Sequence, residues 1–160
     1  MGMLLCLAWV LSFVEGLIPA LPSMPPGIKL GLSNIVTIYC LFFINAKSAL
    51  FISILKSVFV FLTRGPIAGL LSLAGGVFSV IVMATLKRYK SFSYLLLSIF
   101  GAVSHNIGQI AVSALLFKTA SIFYYLPLLI VSGVAMGTVT ATLMKVLLPA
   151  LKRISNDKKG

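Results

Sequence analysis

The stretch YLLLSIFGAVSHNIGQIAVSALLF, Tyr94–Phe117, is apolar except for small residues and one polar turn, SHNIGQ at Ser104–Gln109. A helix that crosses a membrane needs roughly 20 mostly apolar residues, and this stretch is long enough to be such a helix. Because hydrocarbon holds no water, the four polar side chains of the turn need partners inside the protein. The stretch therefore predicts a membrane-spanning helix whose polar turn faces the interior of a helical bundle.

The composition of the whole chain is typical of a membrane protein. Of the 160 residues, 60% are hydrophobic and 9% are charged, and the mean hydropathy is +1.15. This composition and several long apolar stretches indicate a polytopic membrane protein. We predict an all-α fold with six transmembrane helices in one bundle over residues 1–151, followed by a basic cytoplasmic tail at residues 152–160. The six apolar stretches run over about residues 3–18, 28–44, 48–63, 67–86, 94–117 and 124–148.

The charge balance is strongly basic, with 13 lysine and arginine residues against two acidic residues and a net charge of +11. The cations lie at the ends of the apolar stretches and form no basic face, which argues against a nucleic-acid partner. One side of the membrane would carry Lys29, Arg64 and Lys118, and the other would carry Lys47, the cluster at residues 87–90 and the tail. Since cytoplasmic loops are the more basic and contact anionic lipid, we predict cytoplasmic termini in a bacterial cytoplasmic membrane.

Polar side chains inside the apolar stretches mark a candidate binding site, because ionisable groups in hydrocarbon are costly and usually functional. Under the predicted topology most of them fall in the outer half of the membrane, where one pocket open to the outside explains them together. Three cations outnumber one carboxylate, so a ligand with a carboxylate or phosphate group would complete the set. The candidate substrate-binding residues are Glu15, Lys29, Asn34, Lys56, Arg64, His105, Asn106, Gln109 and Tyr125.

Several of these residues also have a purely structural interpretation. Glu15 is as well explained by an ion pair with Lys29 or Lys56 as by contact with a ligand. Lys29 and Arg64 have the positions of interface anchors whose charged ends reach water. Tyr125 fits an aromatic belt at the membrane surface. Lys56 lies too deep to reach water easily without a cavity, and it therefore favours a site.

The connection between the first two apolar stretches is rich in prolines and glycines. Residues 20–31 read ALPSMPPGIKLG, with three prolines and two glycines. Such a segment cannot continue either helix. A plain hairpin linker is one interpretation, but the length and stiffness favour a lid over the outer mouth of the pocket.

Small residues recur at four-residue spacing along several of the apolar stretches. Gly133, Gly137 and Ala141 share one face, and similar faces occur on the third and fourth stretches. Small residues let helices approach closely, which matters in lipid because there is no hydrophobic driving force for helix association. Packing within the bundle explains most of these faces, whereas Ala8 and Ser12 on the first stretch are candidates for docking a partner membrane protein.

Enzyme chemistry has little support in the sequence. There is no Asp-rich site to hold magnesium and diphosphate, and no Gly-rich phosphate loop with its lysine. His105 has no second ligand at metal-binding spacing, and Cys6 and Cys40 are best read as small core residues. We therefore predict a chain that is not an enzyme and binds neither metal nor cofactor. Any active transport would need a partner that hydrolyses ATP.

Four segments together resemble one family over nearly the whole chain. They are PPGIKLGLSNIVTIY (Pro25–Tyr39), SLAGGVFSVIVM (Ser72–Met83), GAVSHNIGQ (Gly101–Gln109) and YYLPLLIVSG (Tyr124–Gly133). They resemble the Gx transporter family, often labelled heptaprenyl diphosphate synthase component I. That family is similar to the substrate-binding S components of energy-coupling factor vitamin transporters. The resemblance implies six helices, cytoplasmic termini and a ligand pocket near the outer face under the first loop.

The leading functional prediction is a membrane transport subunit that captures a small, anionic or amphipathic metabolite from the outer face. Lys29 and Asn34 would contact it below the lid, Lys56 and Arg64 would neutralise it, and the SHNIGQ turn would orient it. An ATPase module with a transmembrane coupling subunit would energise transport.

Two alternatives stay open at this point. One is an accessory membrane subunit of isoprenoid diphosphate or menaquinone synthesis, which holds a polyprenyl chain or a prenyl diphosphate synthase and has a lateral, lipid-facing groove. The other is a stand-alone carrier that depends on Glu15 or His105 for proton coupling.

Overall fold

The computed structural model describes residues 2–17, 33–89 and 92–157, and in these ranges every element of regular secondary structure is a helix. The predicted all-α class is thereby confirmed. The α-helices are α1 (Gly2–Leu17), α2 (Asn34–Phe43), α3 (Ala46–Arg64), α4 (Pro66–Arg88), α5 (Tyr94–Phe117) and α6 (Leu126–Asp157), and a short 3₁₀ helix, Ala120–Tyr125, leads into α6.

Four segments are long and apolar enough to cross a membrane. They are Ala46–Arg64, Pro66–Arg88, Tyr94–Phe117 and Ser121–Thr142. The two remaining helices are apolar but shorter, with 16 residues in α1 and 10 in α2. The chain is therefore a helical protein of the membrane type. Six crossings and cytoplasmic termini stay predictions, and the expected start of the second crossing, residues 28–32, lies outside the described ranges.

Local sequence signals set the ends of the central helices. The Asn45 side chain accepts a hydrogen bond of 2.7 Å from the Ser48 backbone N–H, which caps the start of α3. The turn between α3 and α4 consists of Gly65 with a φ of 91°, a left-handed value that favours glycine, and Pro66 at the first position of α4. The turn lies in the gap between the predicted apolar stretches 48–63 and 67–86, where Gly and Pro follow one another.

The helices pack mainly against their sequence neighbours, with α4 between α3 and α5, and α5 between α4 and α6. Helices approach each other closely at several glycines. A Cβ atom on Gly137 would lie 2.5 Å from Ile99 Cα, and one on Gly133 would lie 3.0 Å from Val103 Cγ2. The small-residue face of α6 therefore packs on α5 within the chain, as expected for most such faces.

The small residues of α3 and α4 meet in the same way. Ser53 and Ser57 are buried, and a Cβ atom on Gly76 would clash with Ser53 Oγ. At the far end of the chain, α6 is helical as far as Asp157 and so extends beyond the expected end at Leu148. The first six residues of the predicted basic tail, 152–157, are thus part of α6.

Candidate functional site

A small polar pocket lies between α1, α3, α4 and α5. Its volume is about 20 Å³, which is room for one or two water molecules. Five of the predicted binding residues lie on its wall, contributed by three different helices. The lining residues are Ser12, Glu15, Ser33, Lys56, Val60, Arg64, Ala68, Ser72, His105 and Gln109.

Helical spacing explains why these side chains meet. Residues four apart lie on one face of a helix, and α3 places Lys56, Val60 and Arg64 at that interval. On α5, His105 and Gln109 share a face in the same way. Each wall of the polar pocket is therefore a single helix face, and the sequence alone determines which residues share it.

Lys56 is the most deeply buried charged residue of the pocket, with 2% of its side chain exposed. Its Nζ donates a hydrogen bond of 2.9 Å to Asn34 Oδ1, at the first residue of α2. A buried ammonium group without polar partners would cost several kcal/mol. Asn34 is thus a hydrogen-bond partner of Lys56. The sequence around either residue does not indicate this pairing.

Arg64 closes the pocket on the side of α1. Its Nη2 donates to the backbone carbonyl of Ser12. The guanidinium lies against Gly16, where a Cβ atom would be 2.7 Å from Arg64 Cζ. Gly16 leaves the space through which Arg64 reaches the backbone of α1. Sequence reasoning missed Gly16, because nothing in α1 indicates which side chain crosses it.

Glu15 supplies the only negative charge among the described lining residues. Its side chain is 5% exposed, and it interacts electrostatically with both Lys56 and Arg64. With two cations and one carboxylate, the formal charge of this wall is +1. A surplus charge in a buried site is unfavourable until an ion of opposite sign compensates it.

His105 and Gln109 form the wall of the pocket that α5 contributes. Each is 3% exposed, and His105 Nδ1 and Gln109 Oε1 have no hydrogen-bond partner among the described residues. The backbone of α4 approaches them closely at Gly75. A Cβ atom there would lie 2.9 Å from both His105 Cε1 and Gln109 Cγ. Gly75 therefore sets how far these two side chains extend into the pocket.

Asn106 and Tyr125 lie away from the polar pocket. Asn106 Nδ2 donates to the Leu129 carbonyl oxygen over 2.7 Å and to Ser132 Oγ over 3.4 Å, and so joins α5 to α6. Tyr125 packs on an apolar cluster that includes Ile110 and Leu129. Lys29 and the predicted lid at residues 20–31 lie outside the described ranges.

The two residues predicted to dock a partner face the interior of the chain. Ala8 is 0% exposed and belongs to a core cluster with α2, α3 and α4, and Ser12 is 2% exposed and lines the pocket. A partner protein could reach them only if α1 moved away from α3.

Ser33 and Ser72 are lining residues that sequence reasoning missed as pocket residues. Their only signal was position: Ser33 adjoins the predicted binding residue Asn34, and Ser72 lies on the small-residue face of α4. The described part of the chain contains no group of three or more His, Cys, Asp or Glu side chains that could hold a metal ion.

Comparison of the chain with curated proteins and with solved structures gives no match. Comparison with protein families gives a match to the family described as heptaprenyl diphosphate synthase component I. The match runs from residue 4 to residue 147, which includes the whole polar pocket. This chain therefore belongs to the heptaprenyl diphosphate synthase component I family.

Proposed function

We propose that this chain is the substrate-binding subunit of a membrane transporter, similar to an S component, and that it captures a small anionic or amphipathic metabolite from the outer face. One observation carries the proposal: the polar pocket buries Lys56 and Glu15 and half-buries Arg64 among helices that are otherwise apolar. Such groups are expensive in a membrane and usually mark a substrate path. The chain itself is not an enzyme in this proposal.

The size of the pocket supports a mechanism in which α1 moves. A cavity of about 20 Å³ is closed to a metabolite. Among the described elements the backbone of α1 comes close only to those of α2 and α3, whereas α4 and α5 each lie close to several helices. The contact between Arg64 and the Ser12 carbonyl joins α1 to α3 at the pocket. Release of this contact is the opening step that we propose, and a ligand anion would replace the carbonyl as the partner of Arg64.

Energy for transport would come from a separate module, because the sequence has no Gly-rich phosphate loop with its lysine. Affinity purification of the tagged chain from native membranes in mild detergent tests this. We expect two ATPase subunits and a transmembrane coupling protein among the recovered partners. Recovery of a prenyl diphosphate synthase without them would contradict the transport proposal.

The role of the pocket is tested separately by substituting its cations. We expect Lys56→Met and Arg64→Gln each to weaken uptake or ligand binding by tenfold or more, since charge-assisted hydrogen bonds contribute about 1.5–3 kcal/mol. Lys47→Met is the matched control, because Lys47 is an exposed lysine on the same helix. Unchanged affinity in both pocket variants would rule out an anion site.

A second candidate function is an accessory membrane subunit of prenyl diphosphate synthesis, which the family description names. A further observation favours it. An apolar groove of about 200 Å³ lies between α3 and α4, and its lining includes the exposed residues Ile54, Val58, Phe61 and Leu70. This accessory function predicts such a lateral groove, which could hold part of a polyprenyl chain. Copurification with a prenyltransferase would support this candidate over the transport subunit.

A further inference from the structure

We infer that the polar pocket binds the end of a molecule that carries a single negative charge with an N–H or O–H donor beside it. The inference rests on the proposed ligand-binding function of the same pocket and narrows the chemistry of the ligand. It distinguishes a carboxylate-type end from a phosphate or diphosphate.

The first argument is the charge of the wall. Lys56 and Arg64 are opposed by Glu15, which interacts with both, so the described lining has a formal charge of +1. Lys56 and Glu15 are buried and Arg64 is half-buried, so solvent screens this charge only in part and the ligand has to balance the rest. One negative charge does so. A phosphate group carries about −1.5 to −2 at neutral pH and would leave a buried excess of negative charge.

The second argument comes from the wall that α5 contributes. His105 Nδ1 and Gln109 Oε1 are buried and have no partner among the described residues. Both residues line the pocket; Gln109 Oε1 accepts a hydrogen bond, and His105 Nδ1 accepts one when the ring proton is on Nε2. A buried acceptor without a partner costs about 1–3 kcal/mol. A ligand donor next to the anionic group would supply the missing bond on this side while the anion faces α3.

The third argument is size. With α1 in its described position, the pocket of about 20 Å³ has room for one small polar group, so α1 can close again only over a small end of the ligand. A diphosphate would need far more space and commonly brings Mg²⁺ held by carboxylates. The single carboxylate of the described lining, Glu15, already interacts with two cations. The ligand's remaining atoms would lie beyond the pocket.

The test uses the full chain in lipid nanodiscs and its only tryptophan as the reporter. Trp9 lies on α1 and stacks on Phe59 of α3, with ring centroids 5.2 Å apart. Binding that separates these helices should change its fluorescence. The probes are glycolate, acetate, inorganic phosphate and the neutral methyl glycolate. We expect saturable binding in the order glycolate, acetate, phosphate, and no response to methyl glycolate.

Three variants test which lining residues are responsible for the binding of each probe. Gln109→Leu should reduce the preference for glycolate over acetate by about 5-fold or more, since it removes one acceptor. Lys56→Met should abolish the response to every probe, whereas the control Lys47→Met should leave it unchanged. Glu15→Gln raises the formal charge of the lining to +2 and should shift the preference from glycolate towards phosphate.

Tighter binding of phosphate than of glycolate by the unaltered chain would overturn the inference. An unchanged probe order in Glu15→Gln, or no saturable response to any probe, would overturn it as well. If phosphate binding were strong and lost in Lys56→Met, the proposed ligand-binding pocket would stand and only the monoanion would be wrong. Failure of the transport proposal would appear elsewhere, in the partners recovered from native membranes.

Discussion

Single residues decide whether the polar pocket exists at all. Lys56 is held in an apolar bundle by the Asn34 side chain and by the nearby carboxylate of Glu15. Such a group lowers stability unless its partners are in place, because breaking a buried charge pair leaves one ion uncompensated. A chain that needed only a stable bundle would have an apolar residue here. The presence of Lys56 is therefore a cost that we attribute to ligand binding.

Gly75 allows the α4 backbone to contact the wall formed by α5. A Cβ atom at this position would lie 2.7 Å from the His105 carbonyl oxygen. We expect Gly75→Ala to lower the free energy of unfolding by about 1–3 kcal/mol, the usual cost of overpacking, and to weaken ligand binding because His105 and Gln109 are displaced. Thermal unfolding in detergent together with a binding titration checks both effects.

Gly2→Ala is the matched control for this substitution. Gly2 is also helical, but a Cβ atom there has nothing within 4 Å. The explanation of Gly75 would be wrong if Gly75→Ala were as stable and bound ligand as well as Gly2→Ala.

Asn106 is the polar residue that joins α5 to α6. Its Nδ2 donates to the Leu129 carbonyl oxygen over 2.7 Å. We expect Asn106→Leu to lower stability by about 0.5–2 kcal/mol, the range found for interhelical hydrogen bonds in membranes. Thermal unfolding in detergent measures the loss, with the exposed Ile107→Val on the same helix as the control. Equal stability of the two variants would show that the hydrogen bond contributes nothing.

At the scale of elements, α2 is the least self-sufficient helix, because 10 residues are too few to be stable alone. Its last carbonyl groups have a partner from α4. Lys87 Nζ donates to the Leu41 carbonyl over 2.6 Å and lies 5.5 Å from the centroid of the Phe42 ring. A cation at the C-terminal end of a helix is stabilised by the helix dipole as well. Lys87 thereby holds the end of α2 against α4.

We expect Lys87→Met to destabilise the C-terminal end of α2 by about 0.5–2 kcal/mol, from the lost hydrogen bond and dipole interaction. Faster hydrogen exchange of the last amides of α2 would report this. Arg88→Met serves as the control, because Arg88 is an exposed cation in the same last turn of α4. Equal exchange in the two variants would show that Lys87 does not cap α2.

At the scale of the whole molecule, the exposed surface of the long helices is largely apolar. Large hydrophobic side chains such as Phe51, Leu62, Ile81 and Leu115 are exposed, while the polar residues of the pocket are buried except for the half-buried Arg64. This arrangement suits lipid as the surrounding solvent, because a helix in hydrocarbon satisfies its backbone internally and directs its polar side chains to the bundle.

The predicted orientation is tested by labelling single cysteines with a membrane-impermeant maleimide, after Cys6 and Cys40 are replaced by alanine. We expect Lys118→Cys to react in intact cells, because the basic residues assign that end of α5 to the outside. Lys47→Cys should react only after the membrane is permeabilised. Reaction of Lys47→Cys in intact cells at the rate of Lys118→Cys would reverse the topology.

The sequence by itself determined where the apolar helices lie along the chain and which residues share a helix face. Apolar length and the obligation to satisfy the backbone within each segment are local constraints, so the prediction for α5, Tyr94–Phe117, agrees with the structure. The four-residue spacing likewise placed His105 and Gln109 side by side.

Only the tertiary structure decided which faces meet. The pairing of Lys56 with Asn34, the contact of Arg64 with the Ser12 carbonyl and the burial of Ala8 depend on the rotation of each helix about its axis. That rotation is fixed by close packing at small residues such as Gly75 and Gly137, which involves residues distant in sequence. The spacing within one helix carries no information about it, since every face of an apolar helix can contact either lipid or a neighbouring helix.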